Sequence, residues 1–347
     1  MGSGPVTLTS SNVRNGRVQP WDFAPKADFG LQAGKRTRRT AARDGKLTFT
    51  SGRKADTPKH MRLQTYDLEL RETVRKPTLG RCIYCGDDQG ELTDEHVIPY
   101  ALGGHTAIFK KASCVACAKT IQKYEQRILR GQLGVFRARI GAPTNNPKDR
   151  PAHQHLHFVE VDRSGRQIRD LGSRTFAIEN APLNLSVWQL APPRILGEMR
   201  TEQEHVGRPW ASISQSETQK ALAMRLARAI AEETGVAHVA IKVDTINRED
   251  FLRFLVKTAH AYAVFEKGLE AFRPLTTDLI LCRDNDLAQY VGGGPINPHY
   301  ESSPATMTEL SIGVVKDGPA AGYTAVYIRL YPLLGTPPHV VVVGEPL

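Results

Sequence analysis

The sequence predicts an α+β protein in three parts: a basic flexible arm, a small metal-stapled unit near residue 100, and a larger mixed α/β domain behind it. Three observations carry this reading. Four of the five cysteines stand as two C-x-x-C pairs, Cys82/Cys85 and Cys114/Cys117, with 28 residues between the pairs. Residues 1–62 hold 13 Lys and Arg against four Asp and show little hydrophobic periodicity. Beyond residue 155, short strand-like runs alternate with two long helical patterns.

The arm is drawn over residues 1–75. It is rich in Gly, Ser, Thr and basic residues, a composition that buries too little apolar surface to order itself. MRLQTYDLEL, at its end, has the look of a short helix or strand. The second unit spans 76–142. ELTDEHVIPY reads as a strand ending at Pro99, LGGH as a loop and TAIFKK as a second strand. ACAKTIQKYEQRILRG then runs at helical spacing, with Ala118, Ile121, Glu125 and Ile128 on one stripe, and stops at Gly131. Residues 143–155, PTNNPKDRPAHQH, read as a linker to the C-terminal domain at 156–347, whose role the sequence leaves open. There HLHFVEVD, TFAIEN, LSVWQL, VAHVAIKV, YTAVYIRLYPL and HVVVVGEP are strand candidates. One helix is expected from the N-cap Ser216 to Gly235, and another from the N-cap Asn247 to Gly268.

Composition narrows the function classes. Hydrophobic residues make up 40% of the chain, enough for a sizeable core, and no apolar run approaches the ~20 residues of a membrane span. The N-terminal MGSGPVTLTSSNVRNGR has no apolar signal core, and its sixth residue is Val where a myristoylation signal wants Ser or Thr. The expectation is a soluble cytoplasmic protein with no membrane partner, whose paired thiols bind metal rather than each other. The formal charge is +10, concentrated in the arm and in a second block at 119–150 with eight Lys and Arg against two acids. Two basic blocks flanking a cysteine cluster point to a nucleic-acid partner. Lys35, Arg36, Arg38 and Arg39 in the arm and Lys119, Lys123, Arg127 and Arg130 on the helix are the candidate contacts.

The four cysteines can close a tetrahedral zinc shell, two sulfurs from each C-x-x-C loop, and a full shell is structural. Inside the stapled loop lies Asp94-Glu95-His96-Val97-Ile98-Pro99. On a strand Glu95 and His96 point to opposite faces, although a bulge at the strand end could let both reach one site. A neutral imidazole can take a proton from water, and an adjacent carboxylate can hold a hard divalent cation.

Taken together, CIYC, DEHVIP and ASCVAC over residues 80–130 resemble the HNH (ββα-metal) endonuclease family in its zinc-knuckle form. The resemblance implies a DNA endonuclease with a structural Zn2+ and a catalytic Mg2+ or Mn2+. His96 would be the general base, Glu95 a ligand of the catalytic ion, and His105 the residue that orients the base. The helix residue after the last cysteine, usually His or Asn in the family, is Ala118, which cannot ligate. Gln122 and Glu125 lie further along the same helix. A carboxylate at Glu125 needs either the catalytic ion or an Arg or Lys from elsewhere in the fold. The alternative reading is a catalytically degenerate zinc-bearing nucleic-acid-binding protein.

Other chemistry-bearing residues read as structural. His260 sits on an apolar helix face as a core histidine, and Cys282 reads as a buried small hydrophobe. HQHLH at 153–157 reads as a solvated strand start, and YVGGGPINP lacks the following helix that a phosphate cradle needs.

Overall fold

The computed structural model describes residues 12–14, 17–19, 61–67, 73–102, 106–197, 201–213, 217–294 and 306–347. In chain order the first elements are β1 (Asn12–Arg14), β2 (Arg17–Gln19), β3 (Met61–Asp67), β4 (Thr73–Lys76), β5 (Leu92–His96), β6 (Thr106–Cys114), α1 (Val115–Gln126) and α2 (Gly134–Arg139). There follow β7 (His153–Val161), β8 (Gln167–Ala177), β9 (Asn184–Gln189), α3 (Glu202–Val206), β10 (Arg208–Ile213), α4 (Glu217–Thr234), β11 (Val239–Lys242) and α5 (Arg248–Lys267). The chain closes with β12 (Arg273–Pro274), α6 (Thr277–Ile280), α7 (Leu287–Tyr290), β13 (Val291–Gly293), β14 (Thr306–Val314), β15 (Thr324–Leu330) and β16 (His339–Glu345).

The α+β class holds, and the stapled unit folds in the expected order. The knuckle precedes β5, a loop leads to β6, and α1 begins on the second cysteine pair. Cys117, Ile121, Tyr124 and Ile128 form the buried face of α1 and of the wider π-type turn that continues it. The buried stripe is therefore rotated from the expected one: Tyr124 takes the centre, and Ala118 and Glu125 sit at its edge, half-buried.

The arm ends earlier than residue 75. Met61–Asp67 pairs antiparallel with β14, and Thr73–Lys76 pairs parallel with β6. Residues 143–155 do not separate two cores either. A single apolar core runs from Cys82–Phe136 through Leu185 and Val187 into 246–343. Among the described residues, the sheet β11-β7-β8 with α4 has a separate core built on Leu156, Phe158, Ala227 and Ile241, and Val159, Val161 and Ala240 form a small third cluster.

Helix α5 is the centre of the shared core. Asn247 caps it by accepting the Asp250 N–H at 2.9 Å, and Gly268 ends it at φ +86°. Every residue from Asp250 to Phe265 is buried. A helix buried all round is ordinarily apolar all round, yet this one carries Asp250, Arg253, Lys257 and His260. One side packs on β15 and β16 of the six-stranded sheet β12-β16-β15-β14-β3, with β13 on β16. The other side packs on α1.

β14, which was not anticipated, lies inside that sheet between β15 and β3. The glycines of YVGGGP serve packing: a Cβ on Gly292 or Gly293 would lie 2.3 or 2.2 Å from backbone atoms of residues 190–193. His260 is the expected core histidine. Cys282 is a correction: it is exposed, at φ +58°. Among the described residues no helix is long and apolar enough to cross a membrane.

Burial lowers the pKa of His339, which bonds the Trp188 carbonyl at 2.7 Å, to about 4. The unfolded chain takes up this proton near pH 6.5 and the folded chain does not, so stability is full above pH 6.5 and falls as pH drops toward 4. Between pH 7 and pH 5 the group should cost about 2 kcal/mol. The urea-unfolding free energy should therefore fall by that much less in His339→Gln than in the parent over the same interval. An equal fall in both proteins would refute the assignment.

Candidate active site

The knuckle forms because residues 82–87 make a tight turn. The Cys82 N–H donates to the Asp87 carbonyl at 2.7 Å, and the Gly86 N–H to the Cys82 carbonyl at 2.9 Å. Gly86 takes φ +78°, which a side chain would strain. The second pair is set by the start of α1. Cys114 is its N-cap, in extended backbone, and its Sγ accepts the Cys117 N–H at 3.5 Å.

All four sulfurs lie within 4.8 Å of one another, and those of Cys85 and Cys114 are 3.7 Å apart. A tetrahedral ion bound at ~2.3 Å separates its sulfurs by roughly 3.8 Å, so the cluster fits a metal ion such as zinc. Such a site is coordinatively closed and fastens the knuckle to the first turn of α1, where the helix dipole favours thiolates.

Between the two pairs, β5 and β6 form an antiparallel ladder broken by an irregularity. Thr93 pairs with Ser113, but Glu95 pairs with Phe109. Asp94 holds the irregularity: its carboxylate accepts from the Lys111 N–H at 3.0 Å and from the Lys110 ammonium at 2.8 Å, and Lys111 takes φ +44°. Beyond it the two residues of interest keep to opposite sides of the strand. Glu95 is buried at 6% exposure, while His96 is exposed.

Behind the strand stands Lys257 of α5. Its ammonium lies 2.5 Å from Glu95 Oε1 and 2.9 Å from Glu125 Oε1, and it donates to the His96 carbonyl at 2.8 Å. The Lys257 side chain is 1% exposed. Burial works against its charge, but Glu125 and Glu95 outweigh burial and hold its pKa above the ordinary lysine value. Burial pushes Glu95 up, against the pull of Lys257. At His96, partial desolvation against the cleft wall and then the Lys257 charge lower the pKa from the ordinary histidine value, which favours the neutral imidazole.

The two carboxylates that the family resemblance assigned to a divalent ion thus face an ammonium. Glu95 is shut in against Lys257, Glu125 shares it, and Ala118 offers no donor. The residues present do not fit a divalent ion held as expected. Of the two readings of Glu125, the structure takes the ion pair.

His96 and Glu125 line a cleft of ≈ 360 Å³. One wall is the exposed face of α1 and the turn after it, with Gln122, Gln126 and Arg130. The other wall is the stretch expected to be a linker: Thr144, Asn145, Asn146 and Arg150. Arg137 fastens that wall by donating to the carbonyls of Ala101 and, at 3.1 Å, of Pro143. Lys119 is exposed one turn before Gln122 on the same helix stripe, and Lys123 is exposed beside it. Arg127 is exposed on the same helix, with Asp250 accepting from its guanidinium twice, at 2.6 and 2.5 Å. His105, Lys35, Arg36, Arg38 and Arg39 lie outside the described residues.

The histidines of β7 carry no metal cluster; the four cysteines are the one such group among the described residues. His155 bonds Thr175 at 2.8 Å, and His157 bonds Asp170 at 2.8 Å and Ser173 at 3.0 Å.

Two parts of the site escaped the sequence reading. One is Lys257, for which a signal existed: a lysine within the unbroken apolar run of α5 requires a buried partner. The other is the 143–151 wall, whose Pro and Asn content reads as a linker and carries no trace of what it packs beside.

The ββα unit with its four-cysteine cluster places His96 on a cleft that Arg130 and Arg150 also line. Residues 82–132 match the HNH endonuclease family, which identifies this segment as an HNH domain. No curated protein and no solved structure matched the chain.

Cys117→Ser should reduce bound zinc from one equivalent per chain toward zero and lower the melting temperature sharply, since structural zinc contributes on the order of 10 kcal/mol to folding. Metal analysis and thermal melts check this. Cys282→Ser should change neither quantity.

Proposed function

We propose that the HNH module hydrolyses phosphodiester bonds of DNA with His96 as general base. The observation that carries the reading is the position of His96, neutral and exposed on a cleft that Arg130 and Arg150 also line. A neutral imidazole takes the proton from a water as its oxygen forms a bond to phosphorus. The bond to the leaving oxygen breaks on the opposite side, and that oxygen takes a proton from solvent. Arg130 and Arg150 offset the phosphate charge. Lys119 and Lys123 extend the positive track along α1, so contacts of this kind position the backbone and carry little sequence information. In this reading the protein works in the cytoplasm, where its cysteines stay reduced.

A second reading, a nucleic-acid-binding protein without cleavage, is favoured by Ala118 and by the pairing of Glu95 and Glu125 with Lys257. The two readings separate on one experiment. Zinc-loaded protein should nick supercoiled plasmid, and His96→Ala should lower the rate by roughly 10²- to 10⁴-fold while leaving DNA binding intact. Equal rates in parent and variant would remove His96 from the chemistry, and binding without nicking by the parent would select the second reading.

Arg130→Ala and Arg150→Ala should each weaken binding to unrelated DNA sequences alike and reduce the slope of log K against log salt by about one. Fluorescence anisotropy between low and moderate salt reads that slope. An unchanged slope would place the nucleic acid elsewhere.

A further inference from the structure

We propose that Lys257 is a tethered cation that stands in place of a divalent ion in this HNH module. The argument starts from donors. Two carboxylate oxygens and one backbone carbonyl, from Glu95, Glu125 and His96, surround the Lys257 ammonium at 2.5, 2.9 and 2.8 Å. Those are the oxygen types that hold hard cations. The ammonium donates to the His96 carbonyl and is ion-paired with both carboxylates.

All three oxygens belong to the HNH segment, whereas the lysine lies on α5, 161 residues beyond His96. The cation is therefore supplied by the rest of the protein. It is also held in place. One end of the same helix face is tied to the module by Asp250 and Arg127, and the other by His260, whose Nε2 lies 2.8 Å from the Ile83 carbonyl in the knuckle. The ammonium is enclosed, with the Lys257 side chain 1% exposed, and Glu125, 21% exposed, stands between it and the cleft.

The consequence for chemistry rests on the nuclease reading. If His96 activates water, it does so over a fixed ammonium, and cleavage does not depend on added Mg2+ or Mn2+. Lys257 then acts as a positioning residue through its bond to the His96 carbonyl and its two ion pairs.

The test uses the zinc-loaded full chain in buffer freed of other divalent ions, with Mn2+ as the probe, followed by electron paramagnetic resonance and thermal melts. The parent should show no saturable Mn2+ site that depends on Glu125. Lys257→Met leaves the carboxylates unpaired; it should melt lower, bind one equivalent of Mn2+ and regain melting temperature on adding it. Lys257→Met/Glu125→Gln should lose both effects.

A parent that binds Mn2+ and loses it on Glu125→Gln would overturn the proposal, as would a folded Lys257→Met that binds none. Should Lys257→Met not fold, the parent titration decides alone. Plasmid nicking separates this idea from the reading it rests on. A parent that nicks only with Mg2+ or Mn2+ overturns the tethered cation and keeps the nuclease. A parent that nicks under no condition and binds no Mn2+ keeps the tethered cation and removes the nuclease.

Discussion

An ammonium taken out of water must find its hydrogen-bond partners inside the protein, and Lys257 finds all of its partners on the HNH module. Glu95, Glu125 and the His96 carbonyl close around it. Removing one partner of such a buried cluster typically costs ~3–5 kcal/mol, because the remaining charge stays desolvated. This contact turns Glu95 inward, leaves His96 facing the cleft and helps keep its imidazole neutral.

The four-cysteine cluster and α5 divide the task of holding the module. The four thiols fasten the knuckle to the start of α1, a link of short range in space. Helix α5 fastens the same knuckle from behind, through His260 and the Ile83 carbonyl, and the far end of α1 through Asp250 and Arg127. Lys76, Tyr331 and Gln132 add contacts to Phe265 O, Leu102 O and the Asn247 N–H, so the edges of the module are bound to the rest of the chain as well. The ββα unit is accordingly one face of a larger core rather than a bead on a string. The region behind it supplies the helix against which the site is assembled.

Much of this was legible before any coordinates. C-x-x-C spacing is a local property, because two residues between thiols set the reach of one turn, and the knuckle, the two strands and α1 follow in the order read. Caps are local too, and Asn247 and Gly268 bound α5 where the sequence places them. The errors are those of range. β14 and the pairing of Met61–Asp67 depend on strands far along the chain. The 143–155 stretch has linker composition yet walls the cleft, since Pro and Asn describe local backbone and not what lies beside it. Charge alone does not disclose that Arg127 pairs with Asp250, 123 positions away.

By itself the sequence determined the four-cysteine knuckle, the strand that carries Glu95 and His96, and the helix that follows, because each rests on spacing within a few turns of chain. Only the tertiary structure decided what the two carboxylates hold. A carboxylate near an apolar stripe demands a positive partner but does not say which, and the choice between a metal ion and an ammonium depends on which group the fold brings within 3 Å. Lys257 arrives there because α5 is buried on every side and its charged residues must discharge into whatever packs against them.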